Sequence, residues 1–188
     1  MGHLVHNAAI MTLPNAITIC RLLSVPFIAH SMMTGSLGLA FALFLLAGLS
    51  DAVDGFIARH FNQRSTLGAY LDPAADKLML VTIFVALGAL QALPLWLVIL
   101  VVSRDVLIVL AVSIAFMMGK PVVIRPIFVS KANTAAQIAL AALTLAELAF
   151  ETTFGPARGL GIWLVAVLTV LSAAAYLVGW LRHVSDSE

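Results

Sequence analysis

The 188-residue sequence contains one cysteine, Cys20, and few charged residues. One cysteine cannot form an intrachain disulfide, and it leaves no cysteine-based metal site. Lysine, arginine, aspartate and glutamate make up 10% of the chain, against about 25% in an ordinary soluble domain. Hydrophobic residues make up 62%, so the few charges cannot cover the surface of a soluble fold of this size. The composition excludes a conventional soluble domain and a disordered chain, and it favours an integral membrane protein.

Six stretches are long and apolar enough for membrane-spanning helices, which need about 20 mostly apolar residues each. They run over Asn15–Met33, Leu37–Phe61, Leu67–Gln91, Pro94–Met118, Ala132–Glu151 and Leu160–Arg182. The connections are short, and no stretch is long or polar enough for a second domain. We therefore expect an all-α integral membrane protein, a single domain over residues 1–188 that forms a bundle of six transmembrane helices. The segment Thr12–Arg21 is expected to lie partly in the membrane interface before the chain enters the membrane.

The positions of lysine and arginine predict the orientation, because these residues concentrate on the cytoplasmic side of a membrane. With the N-terminus inside, that side receives most of the basic residues near the helix ends: Arg59, Arg64, Lys120, Arg125, Lys131 and Arg182. The opposite side receives only Arg158. Both termini are therefore expected in the cytoplasm. The first apolar stretch differs from a cleavable signal peptide, because Arg21 and Pro26 interrupt it.

Four aspartates lie within the second and third spans, where each buried charge costs about 2.5–3.5 kcal/mol. Asp51 and Asp54 are three residues apart, and Asp72 and Asp76 are four apart, so each pair shares one face of a helix. The short connection makes the two spans antiparallel neighbours, and four carboxylates at similar depth would repel each other strongly. One or two divalent cations are the simplest compensation, because carboxylate oxygens suit Mg²⁺ or Mn²⁺.

Two other interpretations of these acids are open at this point. In the first, the aspartates cap helices or pair with Arg59, Arg64 and Lys77 in a structural role. In the second, they line a pathway for metal ions. The pathway leaves the small residues Gly55 and Ala58 unexplained, as well as Arg59. Small residues let a flat group lie on a helix, and arginine is a bidentate phosphate donor. The combination favours a site for a phosphorylated ligand.

The same residues form a motif that resembles the signature of the CDP-alcohol phosphotransferases, D-x2-D-G-x2-A-R-x8-G-x3-D-x3-D. All of its fixed positions occur here, as Asp51, Asp54, Gly55, Ala58, Arg59, Gly68, Asp72 and Asp76. The resemblance extends to the six-helix layout. It implies a metal-dependent enzyme that uses CDP-diacylglycerol as a lipid substrate and usually forms a homodimer, with no nucleic acid as a partner.

The resemblance also implies roles for individual residues. The four aspartates are expected to bind two Mg²⁺ or Mn²⁺ ions, and Asp76 is also expected to be the catalytic base. The cytidine nucleotide and its diphosphate are expected to contact Pro14, Asn15, Gly55, Ala58, Arg59, Ser65 and Gly68. The implied reaction is an in-line attack by an acceptor hydroxyl on the phosphorus that bears the lipid, with CMP leaving.

Three further residues bear on the choice of acceptor: Arg104, Lys131 and Asn133. The runs Ser103–Val106 and Ser130–Gln137 resemble the cardiolipin synthase branch. The phosphatidylglycerophosphate synthase branch usually has Glu at Asp105 and Lys at Asn133. Absence of that lysine fits an acceptor without a terminal phosphomonoester, which favours phosphatidylglycerol over glycerol 3-phosphate. Alternatively, Arg104 and Asp105 are structural; because adjacent residues do not face each other on a helix, each is then expected to need an outside partner.

Overall fold

The computed structural model describes residues 13–61, 66–117 and 128–185. Within them, side chains are described for residues 19–50, 75–110 and 128–178. This part of the chain confirms the all-α prediction, with helices in the expected order: α1 Leu13–Met33, α2 Leu37–Phe61, α3 Thr66–Ala89, α4 Leu95–Met117, α5 Phe128–Phe150 and α6 Gly155–Ser185. The chain divides into two compact units, with the boundary after Thr82 in α3. A single domain over residues 1–188 stays a prediction.

The last two helices are longer at their N-termini than the sequence predicts. Helix α5 begins at Phe128, so Lys131 lies on a helix rather than in the preceding connection. Helix α6 begins at Gly155 instead of Leu160, and Arg158 is therefore helical. Pro156 is compatible with this early start, because the first turn of a helix does not use the missing N–H of proline.

The expected interfacial segment is part of the first helix. Its described residues, from Leu13 to Arg21, are helical and continuous with the rest of α1. Pro26 lies inside the same helix and does not end it. Thr12 lies outside the described residues.

In the first unit, α1 packs against α2. Ile28 and Met32 of α1 and Ala40 and Phe44 of α2 are almost completely buried, and a residue as small as Ala40 allows two helix backbones to approach closely. The connection is a Schellman motif around Gly35, whose φ is 79°. The N–H of Ser36 donates to the carbonyl of Ser31 at 2.9 Å, and the N–H of Gly35 donates to that of Met32 at 3.3 Å. These bonds satisfy carbonyls at the end of α1 and reverse the chain.

In the second unit, α6 packs against both α4 and α5. Leu97, Val101, Leu145 and Val165 are fully buried, or nearly so. Gly161 of α6 lies against Leu140 of α5, because a Cβ atom at position 161 would be 3.0 Å from Cδ1 of Leu140. A side chain at position 161 would therefore require the Leu140 side chain to shift.

The turn from α5 to α6 is held by the side chain of Glu147. This carboxylate is buried, accepts a hydrogen bond from the backbone N–H of Phe154, and pairs with Arg158 at 2.8 Å. The backbone carbonyl of Glu147 accepts from the N–H of Thr152 at 3.1 Å. Glu151 turns the chain with a φ of 52°, a left-handed conformation that is costly for a residue with a side chain.

Many large apolar side chains of these helices are exposed rather than buried. Phe27, Leu46, Leu95 and Trp163 each expose more than 60% of their surface. Phe128–Phe150 and Gly155–Val178 are long and apolar enough to cross a membrane, and shorter apolar stretches cover Ile19–Met33 and Leu37–Ser50. Lipid is the solvent in which such an apolar surface is stable.

Candidate functional site

The signature residues lie on two consecutive helices. Asp51, Asp54, Gly55, Ala58 and Arg59 are on α2, and Gly68, Asp72 and Asp76 are on α3. Both segments are helical, so the residues of each aspartate pair, three or four positions apart, share one face of their helix. Among these residues, Asp76 is the one whose side chain lies within the described part; the side chains of the others lie outside it. Pro14 and Asn15 are in the first turn of α1, again without described side chains, and Ser65 lies outside the described residues.

Asp76 is bonded to an arginine from the first helix. Its side chain is 37% exposed, and Oδ1 accepts a 2.7 Å hydrogen bond from a terminal guanidinium nitrogen of Arg21. The Arg21 side chain is 1% exposed. The structural interpretation of the aspartates names Arg59, Arg64 and Lys77 as partners and does not include Arg21. A charged residue inside an apolar span was itself the signal, because such a residue needs a partner.

A second polar cluster lies in the other unit, around Arg104 of α4. Arg104 is 3% exposed. One terminal nitrogen donates to Asp105 at 2.5 Å, and the other donates to the hydroxyls of Ser130 on α5, at 2.7 Å, and Ser172 on α6. The guanidinium carbon lies 5.6 Å from the centre of the Tyr176 ring, within cation–π range. One side chain therefore joins three helices.

The expectation that Arg104 needs partners outside α4 is confirmed. Arg104 has two on other helices, but the adjacent residues also bond directly to each other. The rule that residues i and i+1 do not face each other on a helix describes the directions in which their side chains leave the backbone. The guanidinium stands at the end of a long flexible side chain and reaches back to the neighbouring carboxylate.

Asn133 and Gln137 extend this cluster along α5. Asn133 is fully buried, and its Oδ1 accepts a 3.0 Å hydrogen bond from Thr169. Gln137, one turn further, is 2% exposed. Within this cluster, three buried donors have no hydrogen-bond partner among the described residues: Nε of Arg104, Nδ2 of Asn133 and Nε2 of Gln137. Such donors are rare in proteins, and a ligand oxygen is one explanation for them.

Gln137 was not among the predicted site residues, although it ends the run that resembles the cardiolipin synthases. Ser130, Asn133 and Gln137 are three and four residues apart, so they share one face of α5. This helical spacing was the feature of the sequence that could have identified Gln137 as a site residue. Lys131, which was predicted as a site residue, is on the same helix but is exposed.

Known proteins resemble this chain over most of its length. The model of the CDP-alcohol phosphatidyltransferase family matches residues 11–174. The chain is 36% identical over 198 residues to a fusion of cardiolipin synthase (CMP-forming) and mitochondrial hydrolase from Schizosaccharomyces pombe, covering 95% of this chain and 33% of the fusion protein. It is 35% identical over 156 residues to cardiolipin synthase (CMP-forming) of Homo sapiens, covering 74% and 52% of the two chains.

A bacterial relative carries a different name. The CDP-diacylglycerol–glycerol-3-phosphate 3-phosphatidyltransferase of Bacillus subtilis is 32% identical over 181 residues, and the alignment covers 87% of this chain and 92% of the relative. The chain therefore spans about half or less of those two cardiolipin synthase relatives, and nearly all of this one.

Proposed function

The chain belongs to the CDP-alcohol phosphatidyltransferase family, and we propose that it transfers the phosphatidyl group of CDP-diacylglycerol to a hydroxyl of phosphatidylglycerol. The products are cardiolipin and CMP. The family is one of membrane enzymes, in agreement with the exposed apolar surface of the helices. The observation that carries the proposal is the complete family signature on two consecutive helices, with Asp76 held by a buried arginine.

In the proposed reaction, the acceptor hydroxyl attacks the phosphorus that bears the diacylglycerol. A new phosphorus–oxygen bond forms, the bond to CMP breaks, and its electron pair stays on the CMP phosphate. Asp76 takes the hydroxyl proton. Gly55 and Ala58 supply a surface without bulky side chains for the nucleotide, and Arg59 holds the diphosphate by charge-assisted hydrogen bonds. Pro14, Asn15, Ser65 and Gly68 are proposed to complete the nucleotide site.

The donor set fits the divalent metal ions that the family generally uses. Carboxylates are the hard oxygen ligands that Mg²⁺ and Mn²⁺ prefer, and Arg21 pairs with Asp76, the aspartate of the four whose side chain is described. We propose that Asp51, Asp54, Asp72 and Asp76 hold two such ions. When bound, they supply charge neutralisation at the diphosphate and acidify the acceptor hydroxyl.

The polar cluster of the second unit supports phosphatidylglycerol as the acceptor. We propose that Arg104 and Lys131 bind its phosphodiester and that Asn133 and Gln137 bind its glycerol hydroxyls. The two buried amides offer unused donors and no positive charge. A glycerol 3-phosphate site must instead neutralise a phosphomonoester of about −1.5 to −2 charge, and we expect it to need a further cationic donor beside Arg104 and Lys131, where this chain has Asn133.

Glycerol 3-phosphate is the alternative acceptor, because the Bacillus subtilis relative is named for it and is covered almost completely. Purified protein in nanodiscs, supplied with CDP-diacylglycerol and one acceptor at a time, separates the two functions. We expect CMP release with phosphatidylglycerol and little with glycerol 3-phosphate. The reverse preference would reject the proposed acceptor and select the alternative.

The same assay tests the enzyme against an ion pathway. Arg59→Ala should abolish CMP release with either acceptor, while the matched variant Arg158→Ala should retain it, because Arg158 pairs with Glu147 in the α5–α6 turn. Metal-ion flux through proteoliposomes without CMP formation from any acceptor would reject the enzyme.

We further propose that the protein is a homodimer in a bacterial-type inner membrane, with both termini and the active site on the cytoplasmic side. The excess of lysine and arginine among the predicted cytoplasmic positions supports this orientation. Modification of a cysteine introduced after Ser185 by a membrane-impermeant reagent, in everted but not in right-side-out vesicles, would agree with it.

A further inference from the structure

The contact between Arg21 and Asp76 has no counterpart in the family signature, which begins at Asp51. The two residues are 55 positions apart and belong to α1 and α3. We propose that Arg21 is a positioning residue: it holds the Asp76 carboxylate by one oxygen and so fixes its orientation toward the acceptor hydroxyl. The inference rests on the proposed function, because Asp76 is the base of that reaction.

Burial is the first reason for this assignment. The Arg21 side chain is 1% exposed, whereas Asp76 is 37% exposed. An arginine that only neutralised a surface carboxylate would remain in contact with water. Arg21 is instead buried, four and seven residues before the buried Val25 and Ile28 on the same face of α1, so it can serve as a rigid anchor for Asp76, which is partly exposed.

Geometry is the second reason. The 2.7 Å separation is that of a charge-assisted hydrogen bond, and a bond to one carboxylate oxygen restricts rotation about the Cβ–Cγ bond. A general base must lie within hydrogen-bond reach of the proton it takes. An unanchored aspartate on a helix samples several rotamers, and only some of them meet this condition.

Charge is the third reason. Four carboxylates are proposed to lie close together on α2 and α3, and their mutual repulsion drives each one away from the others. Arg21 approaches from α1, a different helix, and gives Asp76 an attraction that opposes this repulsion. The carboxylate is thereby held in place before metal or substrate arrives.

Replacement of Arg21 by methionine tests the proposal, because methionine fills a similar volume without leaving a buried polar group. We expect Arg21→Met to lower kcat about 100-fold, the cost of misplacing a reacting group by about 1 Å, with little change in KM for CDP-diacylglycerol. Arg21→Lys keeps the positive charge but lacks the planar guanidinium group, and it should retain part of the kcat that Arg21→Met loses. Arg158→Met, which breaks an ion pair of similar length in the other unit, should leave kcat unchanged.

A double variant shows whether Arg21 acts through Asp76. Once Asp76→Asn has removed the base, addition of Arg21→Met should lower kcat no further, since residues that act as a unit are non-additive. A further loss of the full single-variant size would overturn the proposal. So would an unchanged kcat in Arg21→Met, or a rise in KM alone, which would make Arg21 a ligand of the substrate diphosphate.

Mn²⁺ binding provides a readout without turnover. Titration of the purified protein, followed by the electron paramagnetic resonance of free Mn²⁺, should show that Arg21→Met binds the ion at least as tightly as wild type, because a nearby positive charge has been removed. Weaker Mn²⁺ binding together with a lower unfolding temperature would mean that Arg21 only supports the fold. If wild type released no CMP with any acceptor, the proposed function would fail, and the Mn²⁺ titration would still report on Arg21.

Discussion

Glu147 and Arg158 are 11 residues apart and form a 2.8 Å ion pair across the turn between α5 and α6. The carboxylate is 4% exposed and the guanidinium 38%. Glu147 also accepts a hydrogen bond from the backbone N–H of Phe154. One buried carboxylate therefore binds both the residue just before α6 and an arginine in the first turn of that helix. We assign this pair a structural role, so its removal should lower the stability of the protein without a direct effect on catalysis.

Replacement of Glu147 by glutamine should therefore destabilise the protein. Glutamine keeps an acceptor for the N–H of Phe154 but loses the charge that pairs with Arg158, and we expect a loss of about 1–3 kcal/mol in the free energy of unfolding. Denaturation in detergent micelles measures it. Glu151→Gln is the control, because Glu151 is exposed in the same turn. Equal stabilities of the two variants would contradict the role given to Glu147.

Glycine at position 151 should stabilise the same turn. Glu151 has a φ of 52°, and we expect Glu151→Gly to raise the free energy of unfolding by about 0.5–1 kcal/mol, the cost of the left-handed conformation less the added chain entropy. Glu151→Ala keeps the Cβ atom and should give no such gain. A lower unfolding temperature for the glycine variant than for the alanine variant would contradict this expectation.

Two aspartate variants distinguish the catalytic base from a metal ligand. Asp76→Asn should lower kcat at least about 100-fold while CDP-diacylglycerol still binds, because the amide keeps its size and one oxygen. Asp54→Asn should weaken both turnover and binding. Equilibrium binding of CDP-diacylglycerol, measured beside CMP release, provides the comparison. Equal losses of binding would mean that Asp76 is a ligand only.

The buried amide of Gln137 offers a test of the acceptor site in the second unit. Gln137→Leu removes a donor of a neutral hydrogen bond, worth about 1 kcal/mol, so KM for phosphatidylglycerol should rise about fivefold. Thr144→Val is the matched control on α5, because the Thr144 hydroxyl is buried but bonded to the Leu140 carbonyl of its own helix. An identical KM in the Gln137 variant and wild type would remove Gln137 from the site.

Asn133→Lys tests which acceptor the cluster prefers. The substitution adds the cation that a phosphomonoester requires, so use of glycerol 3-phosphate should rise relative to phosphatidylglycerol without a complete switch. Relative CMP release with the two acceptors measures the effect. Asn133→Gln, which is longer but neutral, should not produce the rise. A gain in both variants would show that size, not charge, controls the choice.

The helices could be predicted because each is a long apolar run bounded by turn residues, and this pattern depends on local sequence alone. The start of α6 could not be predicted in this way, because it depends on a hydrogen bond between the side chain of Glu147 and the backbone N–H of Phe154. The same limit applies to Lys131: its charge and the nearby glycine and proline residues indicated a connection, but α5 begins three residues earlier.

The candidate site divides in the same way. The signature residues were identifiable from their fixed spacing, and the structure places them on the expected helices. Arg21, the partner of Asp76, was not identifiable from the sequence, because a contact between residues 55 positions apart depends on how α1 packs. Gln137 was missed because it is uncharged, so it did not stand out against an apolar span as the aspartates did.

The bond between Arg104 and Asp105 also bears on how the protein enters the membrane. Each of these residues on its own would oppose insertion by about 2.5–3.5 kcal/mol at the centre of a helix. Ser130 and Ser172 come later in the chain, so neither is present when α4 leaves the ribosome. Because the counterion of Arg104 is the very next residue, α4 carries its own neutralisation into the bilayer and need not wait for α5 and α6. During synthesis, Arg104 therefore has Asp105 as a partner first, and Ser130 and Ser172 become available only when α5 and α6 follow.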